Sequence, residues 1–304
     1  MSDKKELVLV SCSGGLDSSC TAAILKLSGY ENIILVHYKY GHRGQECEEL
    51  AIKKVAEQLN LPLKIIDVEN LYNTIDIKDV SMLANENAPI TTGTVAGLKT
   101  VHAWVPGRNM LFMTVMGIIA ETEVMKHDFD TVYFVGGWLN LTESGCYNDN
   151  SESFCDSFLN MFKYGTLIGS RIKPLFCLSQ LMKFEQFALI KEFSLENMYS
   201  KTISCDRPKL VNGVPCNCSH NGLPACGSGL LSYWGAHKVG LDDMKLRSFY
   251  EIPEGEDYKA YRPSHMDNTS TVSPDINNII DRILLPKDKI DNLKKIIKEK
   301  HKEQ

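Results

Sequence analysis

The sequence has no run approaching the roughly 20 consecutive apolar residues of a helical membrane span, which excludes such a span and makes membrane an unexpected partner. It also lacks an excess of positive charge. There are 33 Lys and Arg against 38 Asp and Glu, a formal net charge of -5. Phosphate binding along a nucleic acid needs a clustered basic surface, so no nucleic-acid partner is expected. The only basic concentration, Lys294 to Lys302, reads as a solvated helix face. Internal repeats and low-complexity tracts are missing, which removes solenoids and disordered arrays. The opening MSDKKELVLV mixes both charges before a short apolar run. It predicts a strand rather than a secretory leader, and cytoplasm is the expected compartment.

What is present is ordinary in bulk. An apolar share of 43% and a charged share of 23% suit a globular chain of one large domain, or a domain with additions. The 10 cysteines, with no export leader, point to free thiols or metal ligands in a reducing compartment rather than to disulfides.

Strand-length apolar runs occur at Leu7–Val10, Asn32–Tyr38, Leu63–Val68, Thr131–Gly136 and Arg171–Leu175. Helix-length patterns alternate with them at 20–30, Gln45–Asn60, 110–121, Ser151–Tyr164 and Ser179–Phe193. That alternation predicts an α/β fold, a parallel sheet with helices on both faces. Ala88–Gly97 reads as a loop, and Asp275–Leu285 and Lys287–Lys302 as closing helices. The expected division is an α/β domain over 1–200, a cysteine-rich lobe with its following helix over 201–240, and a C-terminal helical extension over 241–304.

The chain is organised around LVLVSCSGGLDSS, Leu7–Ser19. A strand, a glycine turn and a helix start in succession make an anion site, because glycine admits close approach and unpaired N–H groups point at the ligand. The spacing is not that of GxxxxGK[ST], and no lysine lies inside it; nor is it GxGxxG. The string Ser13-Gly14-Gly15-Leu16-Asp17-Ser18 reads SGGxDS. A second cluster, Cys205-x10-Cys216-x-Cys218-x7-Cys226, places four thiols where they can close around tetrahedral zinc, with His220 in reserve. The remaining cysteines read as small core residues, Cys146 in a loop excepted.

SGGLDSS, HYKYGHRGQE with its following helix, VPGRN, a strand ending in GG, ESGCYND, KPLFCLSQLMKFE and the cysteine cluster follow one another in that order. Over about residues 6 to 240 they resemble the QueC family, the 7-cyano-7-deazaguanine synthases among PP-loop ATP pyrophosphatases. The resemblance implies a Rossmann-like PP-loop fold and a homodimer, and the amphipathic pattern of the C-terminal helices, which lie outside it, is expected to add to the contact. It implies conversion of 7-carboxy-7-deazaguanine to the nitrile with ATP and ammonia, through an adenylated carboxylate, an amide and a second activation. ATP, Mg2+ and a structural Zn2+ are the implied cofactors, the zinc on Cys205, Cys216, Cys218 and Cys226.

By the same resemblance, Ser13, Gly14, Gly15, Leu16, Asp17, Ser18 and Ser19 cradle the pyrophosphate, with His37 and Arg108 also at the nucleotide. Asp17 orients the loop or holds Mg2+, while Arg108 and Lys183 stabilise developing charge. His42, Arg43, Trp138, Tyr147, Asn148 and Asp149 are the implied deazaguanine contacts. Two departures stand out. The family's tight CGxCxxC survives only as Cys226-Gly227, with Gly229 and Ser232 at the next two cysteine positions and Cys216 and Cys218 as replacements. Its SGYPDCR loop becomes Ser144 to Ser151, with Ser151 in place of the arginine; serine cannot grip a carboxylate or phosphate bidentately. Two alternatives therefore stay open. One is an acyl-AMP ligase that hands the deazaguanine acyl group to an amine of an acceptor protein or metabolite. The other is a non-catalytic nucleotide or deazapurine sensor.

Overall fold

A computed structural model of the chain describes residues 4–77, 81, 83, 84, 93–95, 98–100, 104–136, 149, 151–253 and 270–302, with backbone alone at 93–95 and 98–100. Strand β1 (Glu6–Ser11) passes through the glycine turn into α1 (Leu16–Leu27), followed by β2 (Ile33–Lys39), α2 (Gln45–Leu59), β3 (Leu63–Asp67) and α3 (Glu69–Thr74). A short antiparallel hairpin, β4 (Gly93–Val95) and β5 (Leu98–Thr100), precedes α4 (Arg108–His127) and β6 (Thr131–Val135). Then come α5 (Glu152–Gly165), a 3-10 turn at Gly169–Arg171, and β7 (Ile172–Pro174). The chain continues through α6 (Lys183–Glu192), α7 (Glu196–Tyr199), β8 (Lys209–Val211), β9 (Val214–His220) and β10 (Leu223–Pro224). It ends with α8 (Gly227–Lys238), α9 (Asp243–Leu246), β11 (Phe249–Glu251), α10 (Ile276–Asp281) and α11 (Lys287–Lys300).

The main sheet has the order β3-β2-β1-β6-β7, with every neighbouring pair parallel. β1 is central, with Val8, Leu9 and Val10 completely buried, as an apolar strand covered on both faces must be. Alternation along it divides the core. Val8 and Val10 join the layer formed by α1, α2, α6, α8, α10 and α11, while Leu7 and Leu9 face α4 and α5. The parallel sheet with helices on both faces is the expected class. The chain leaves β1 toward β2 and β3, then returns on the other side as β6 and β7. The topological switch, where open α/β sheets bind ligands, is thus the crevice at the carboxyl ends of β1 and β6.

Local differences from the sequence reading have local causes. The helix expected from Ser179 begins at Lys183, because Ser179 N–H donates to Phe176 O and Leu181 N–H to Leu178 O, turning the chain first. Within the expected loop Ala88–Gly97, Gly93–Val95 pairs with Leu98–Thr100; residues 88–92, 96 and 97 lie outside the described residues. The cysteine region contains a four-stranded sheet in which β9 pairs with β8, β10 and β11. β11 draws residues 249–251 into that lobe, past the expected limit at 240.

The C-terminal helices are built into the main layer. Ile279, Ile280, Ile283, Leu293 and Ile297 are buried in the core shared with α1 and α6, and Asn292 Nδ2 donates to Ser28 O at 3.1 Å. Their apolar side, expected to add to a dimer contact, is covered within the chain. Among the described residues no helix is long and apolar enough to cross a membrane.

Candidate functional site

The glycine turn sits where β1 delivers it. Gly14 has φ +82, and a Cβ there would stand 2.9 Å from Ile52 N and 3.0 Å from Glu48 O. Only glycine accepts both the dihedral and the close packing of α2. Gly15 caps α1 in extended conformation and has no side chain to offer. Instead Leu16 N–H donates to Ser204 Oγ at 3.1 Å and Ile203 N–H to Gly14 O at 3.0 Å. Of the three loop hydroxyls, Ser13 Oγ accepts from Gly15 N–H at 3.3 Å and Ser18 Oγ from the Cys12 thiol at 3.3 Å, while Ser19 is fully buried. The polar groups of the turn are therefore chiefly backbone, with Ser13 at its exposed rim.

Asp17, in the first turn of α1, faces Lys183, the first residue of α6. Lys183 Nζ is 2.5 Å from both carboxylate oxygens. The lysine is 7% exposed and stands at a helix start, where the dipole disfavours a cation. The carboxylate offsets both penalties.

A second charged group assembles beyond β2. His37 is buried with Nδ1 3.0 Å from Cys12 O, and burial pulls its pKa below 6.5 against the pull of Glu48. His42 Nε2 lies 3.1 Å from a Glu48 carboxylate oxygen, its ring stacked on Tyr40 at 4.3 Å. Burial would raise the Glu48 pKa, but His42, His37 and Arg108 outweigh it and hold the carboxyl below its ordinary value. Arg108 donates to the Tyr40 hydroxyl and feels Asp149 and Glu48, which keep it charged despite burial. Burial raises the Asp149 pKa while Arg108 opposes it. Gly107, at φ +66, turns the chain so that Arg108 opens α4, and Asn109 Nδ2 donates to Asp149 O at 3.3 Å.

The structure thus gathers the loop 13–19, His37, His42, Arg108, Asp149 and Lys183 at one sheet edge. Arg43 follows His42 in the chain, and its N–H donates to Leu83 O. Trp138, Tyr147 and Asn148 lie outside the described residues. Ser151, the serine in the arginine's place, caps α5 by accepting from Phe154 N–H at 3.1 Å. Two members of the cluster were not foreseen, Glu48 and Tyr40. Glu48 hides in the acidic string QECEEL, which resembles a solvated face; its signal is the stripe 48, 51, 52, 55, at i, i+3, i+4, i+7 spacing.

Three of the four expected metal cysteines meet. Cys205, Cys218 and Cys226 place their sulfurs within 4.8 Å of one another, with Cys205 3.4 Å from Cys218 and 3.7 Å from Cys226. Zinc–sulfur bonds of about 2.3 Å in a tetrahedron require S···S edges of roughly 3.8 Å, so the group fits zinc. Backbone amides already point at the sulfurs, those of Arg207 and Cys218 at Cys205, and those of Asp206 and Gly229 at Cys226. Cys216 is left outside, its thiol donating to Val214 O. His220 Nδ1 lies 3.8 Å from Glu251 and also stands outside the group.

Comparison with known proteins follows the same lines. The family described as queuosine biosynthesis protein QueC matches residues 7–226. The chain is 35% identical to the 7-cyano-7-deazaguanine synthase 2 of Sulfurisphaera tokodaii, over 60% of this chain and 38% of that protein. It is 31% identical to the 7-cyano-7-deazaguanine synthase of Methanococcus maripaludis, over 67% of this chain and 85% of that protein. The match thus spans well under half the length of the first relative. A solved structure, the NH3-dependent NAD synthetase of Campylobacter jejuni, is similar at TM-score 0.35 and 21% identity, over 66% of this chain and 69% of that one.

Proposed function

We propose that this chain, which belongs to the QueC family of queuosine biosynthesis proteins, uses ATP to activate the carboxylate of 7-carboxy-7-deazaguanine or a close analogue and passes the acyl group to ammonia. One observation carries this above the rest. The glycine cradle at the start of α1 stands beside the Asp17–Lys183 pair and the Arg108–Glu48–His42 cluster at one sheet edge. Such an edge offers an anion cradle flanked by two cations, Lys183 in one set of side chains and Arg108 in another.

A carboxylate oxygen is a poor leaving group, and AMP is a good one. The carboxylate attacks the α-phosphorus, the bond to the bridging oxygen breaks, and pyrophosphate leaves. Ammonia then attacks the acyl carbon, loses a proton and expels AMP to give the amide. A second ATP activates the amide oxygen in the same way; loss of two protons and AMP leaves the nitrile.

Backbone N–H groups of the loop and the positive end of α1 hold the pyrophosphate as its charge grows. Lys183 and Arg108 meet charge at phosphorus and on the acyl oxygen. Asp17, with both oxygens on Lys183, orients that ammonium, and magnesium arrives with the nucleotide as MgATP. Asp149 is assigned to the polar edge of the base, with Asn148 beside it and Trp138 or Tyr147 as the stacking platform. Cys205, Cys218 and Cys226 would hold a structural zinc, which when bound ties β9, α8 and the segment before β8 together.

A second reading, acyl transfer to an amine other than ammonia, is favoured by one observation: Ser151 is engaged as a helix cap and brings no guanidinium to the carboxyl end of the substrate. Incubation with the acid, MgATP and either ammonia or a candidate amine, read by mass spectrometry, separates the two. Nitrile with AMP and pyrophosphate supports the synthase, and an amine conjugate supports the second reading. Release of ADP and phosphate refutes both.

A further inference from the structure

Helix α1 is capped from outside. Gly15, its N-cap residue, cannot carry a side chain comfortably, since a Cβ there would press on Ile203 O and Ser13 Oγ, each at 3.3 Å. A serine or aspartate at that position would serve the second or third amide of the helix; here the first, Leu16 N–H, donates to the hydroxyl of Ser204, 188 residues further along the chain than Leu16. Its neighbour Ile203 donates to Gly14 O. Two consecutive residues from the edge of the cysteine lobe thus grip both sides of the glycine turn.

Ser204 is itself held by a buried polar chain. Its N–H donates to Asn217 Oδ1 at 3.1 Å, and the same oxygen accepts from Arg247 Nη1 at 3.4 Å. Arg247 pairs with Asp243 through two bonds of 2.7 and 2.6 Å, and Tyr199 donates to Asp243 at 2.6 Å. Asn217, Asp243, Arg247 and Tyr199 are all 5% exposed or less. Asn217 is anchored in turn by its own N–H and Nδ2, both donating to Ser248 O. A buried ion pair contributes little net stability against a hydrophobic replacement. Its geometric effect here is to fix one amide oxygen, and through it one serine.

We propose that Ser204 is a positioning residue for nucleotide binding. By holding Leu16 N–H it sets the pitch of the first turn of α1, and so the direction of the following amides and of Asp17. This rests on the reading of residues 13–19 as the nucleotide-phosphate cradle. The serine does not touch phosphate; it acts through the loop, and the Asn217–Arg247–Asp243–Tyr199 chain keeps it in place.

The test uses the full chain and two replacements of the same shape, Ser204→Thr and Ser204→Val, which differ in the hydroxyl. MgATP affinity is measured by calorimetry, and loop order by hydrogen exchange of a peptide covering residues 12–19. Loss of one such hydrogen bond weakens MgATP binding by roughly tenfold. The expected result is that Ser204→Val loses that factor and exchanges faster in the loop, while Ser204→Thr stays near the parent in both. A purely structural role would lower the melting temperature of the valine variant and leave its affinity unchanged. Equal affinity in the two variants, or tighter binding in Ser204→Val because phosphate takes the vacated N–H, overturns the inference. A parent chain that binds no MgATP overturns the nucleotide reading and this inference with it.

Discussion

Lys183 Nζ lies 2.5 Å from each carboxylate oxygen of Asp17, joining the first turns of α6 and α1 beside the glycine loop. Lys183 is buried and Asp17 is about a third open to solvent, at 34% of its side chain, so the two ends of the pair are not equivalent.

That asymmetry gives the first prediction. Asp17→Asn keeps the shape but leaves a buried ammonium without its partner, and a stability loss of about 2 kcal/mol is expected after discounting for the exposed side. Lys183→Met removes the charge itself and should destabilise less. Both variants should slow pyrophosphate release on the order of a hundredfold, about 3 kcal/mol at the transition state. Thermal melts together with a pyrophosphate assay check this. Full turnover in either variant would make the pair structural only.

Arg108 supplies a planar fork as well as a charge, shared among the Tyr40 hydroxyl, Asp149 and Glu48. Arg108→Lys should lower kcat by roughly tenfold and Arg108→Met by more, because lysine keeps the charge without the bidentate geometry. Equal rates in the lysine and methionine variants would show that the guanidinium acts elsewhere.

Acid should destabilise the protein through two groups. Burial lowers the His37 pKa below 6.5, so the unfolded chain takes up a proton that the folded chain refuses. Stability is complete above pH 6.5 and declines as pH falls toward the lowered value. Glu48, held below 4.5, adds a second loss at still lower pH, as protonation breaks its contact with His42. Denaturant melts between pH 8 and 2 should show both slopes, and His37→Phe should remove the first. An unchanged slope in that variant would assign the titration to another group.

Zinc binding should depend on three cysteines and not on the fourth. Elemental analysis is expected to find one zinc per chain, lost in Cys205→Ser, Cys218→Ser and Cys226→Ser with a fall in melting temperature, since metal binding and folding are coupled. Cys216→Ser should retain it, because that thiol faces Val214 O. Loss of zinc in Cys216→Ser to the same degree would contradict the grouping seen here.

The main sheet was legible because its strands are short apolar runs and its helices are periodic, and both patterns are local. The glycine turn was legible because its chemistry lies in seven consecutive residues. What was not legible depended on contacts between distant segments. Glu48 joins the site through helical phase, the Ser204 cap bridges residues 188 apart, and β11 pairs with β9 from across α8 and α9. Cys216 falls within the same sequence spacing as Cys205, Cys218 and Cys226, yet its thiol donates to Val214 O and stays outside their group. The C-terminal helices read as an addition because the composition shifts after residue 241 and the resemblance ends there, yet Ile279, Ile280, Ile283, Leu293 and Ile297 are buried in the main core.

In the proposed reaction the substrate carboxylate attacks the α-phosphorus of ATP. Oxygen-18 placed in both carboxyl oxygens of 7-carboxy-7-deazaguanine tests it in one mass-spectrometric measurement with MgATP and ammonia. Each AMP formed should carry one heavy oxygen, with two labelled AMP molecules for every nitrile, and pyrophosphate should carry none. Label appearing in inorganic phosphate or pyrophosphate, or remaining wholly in unconverted acid while ATP is consumed, would contradict it.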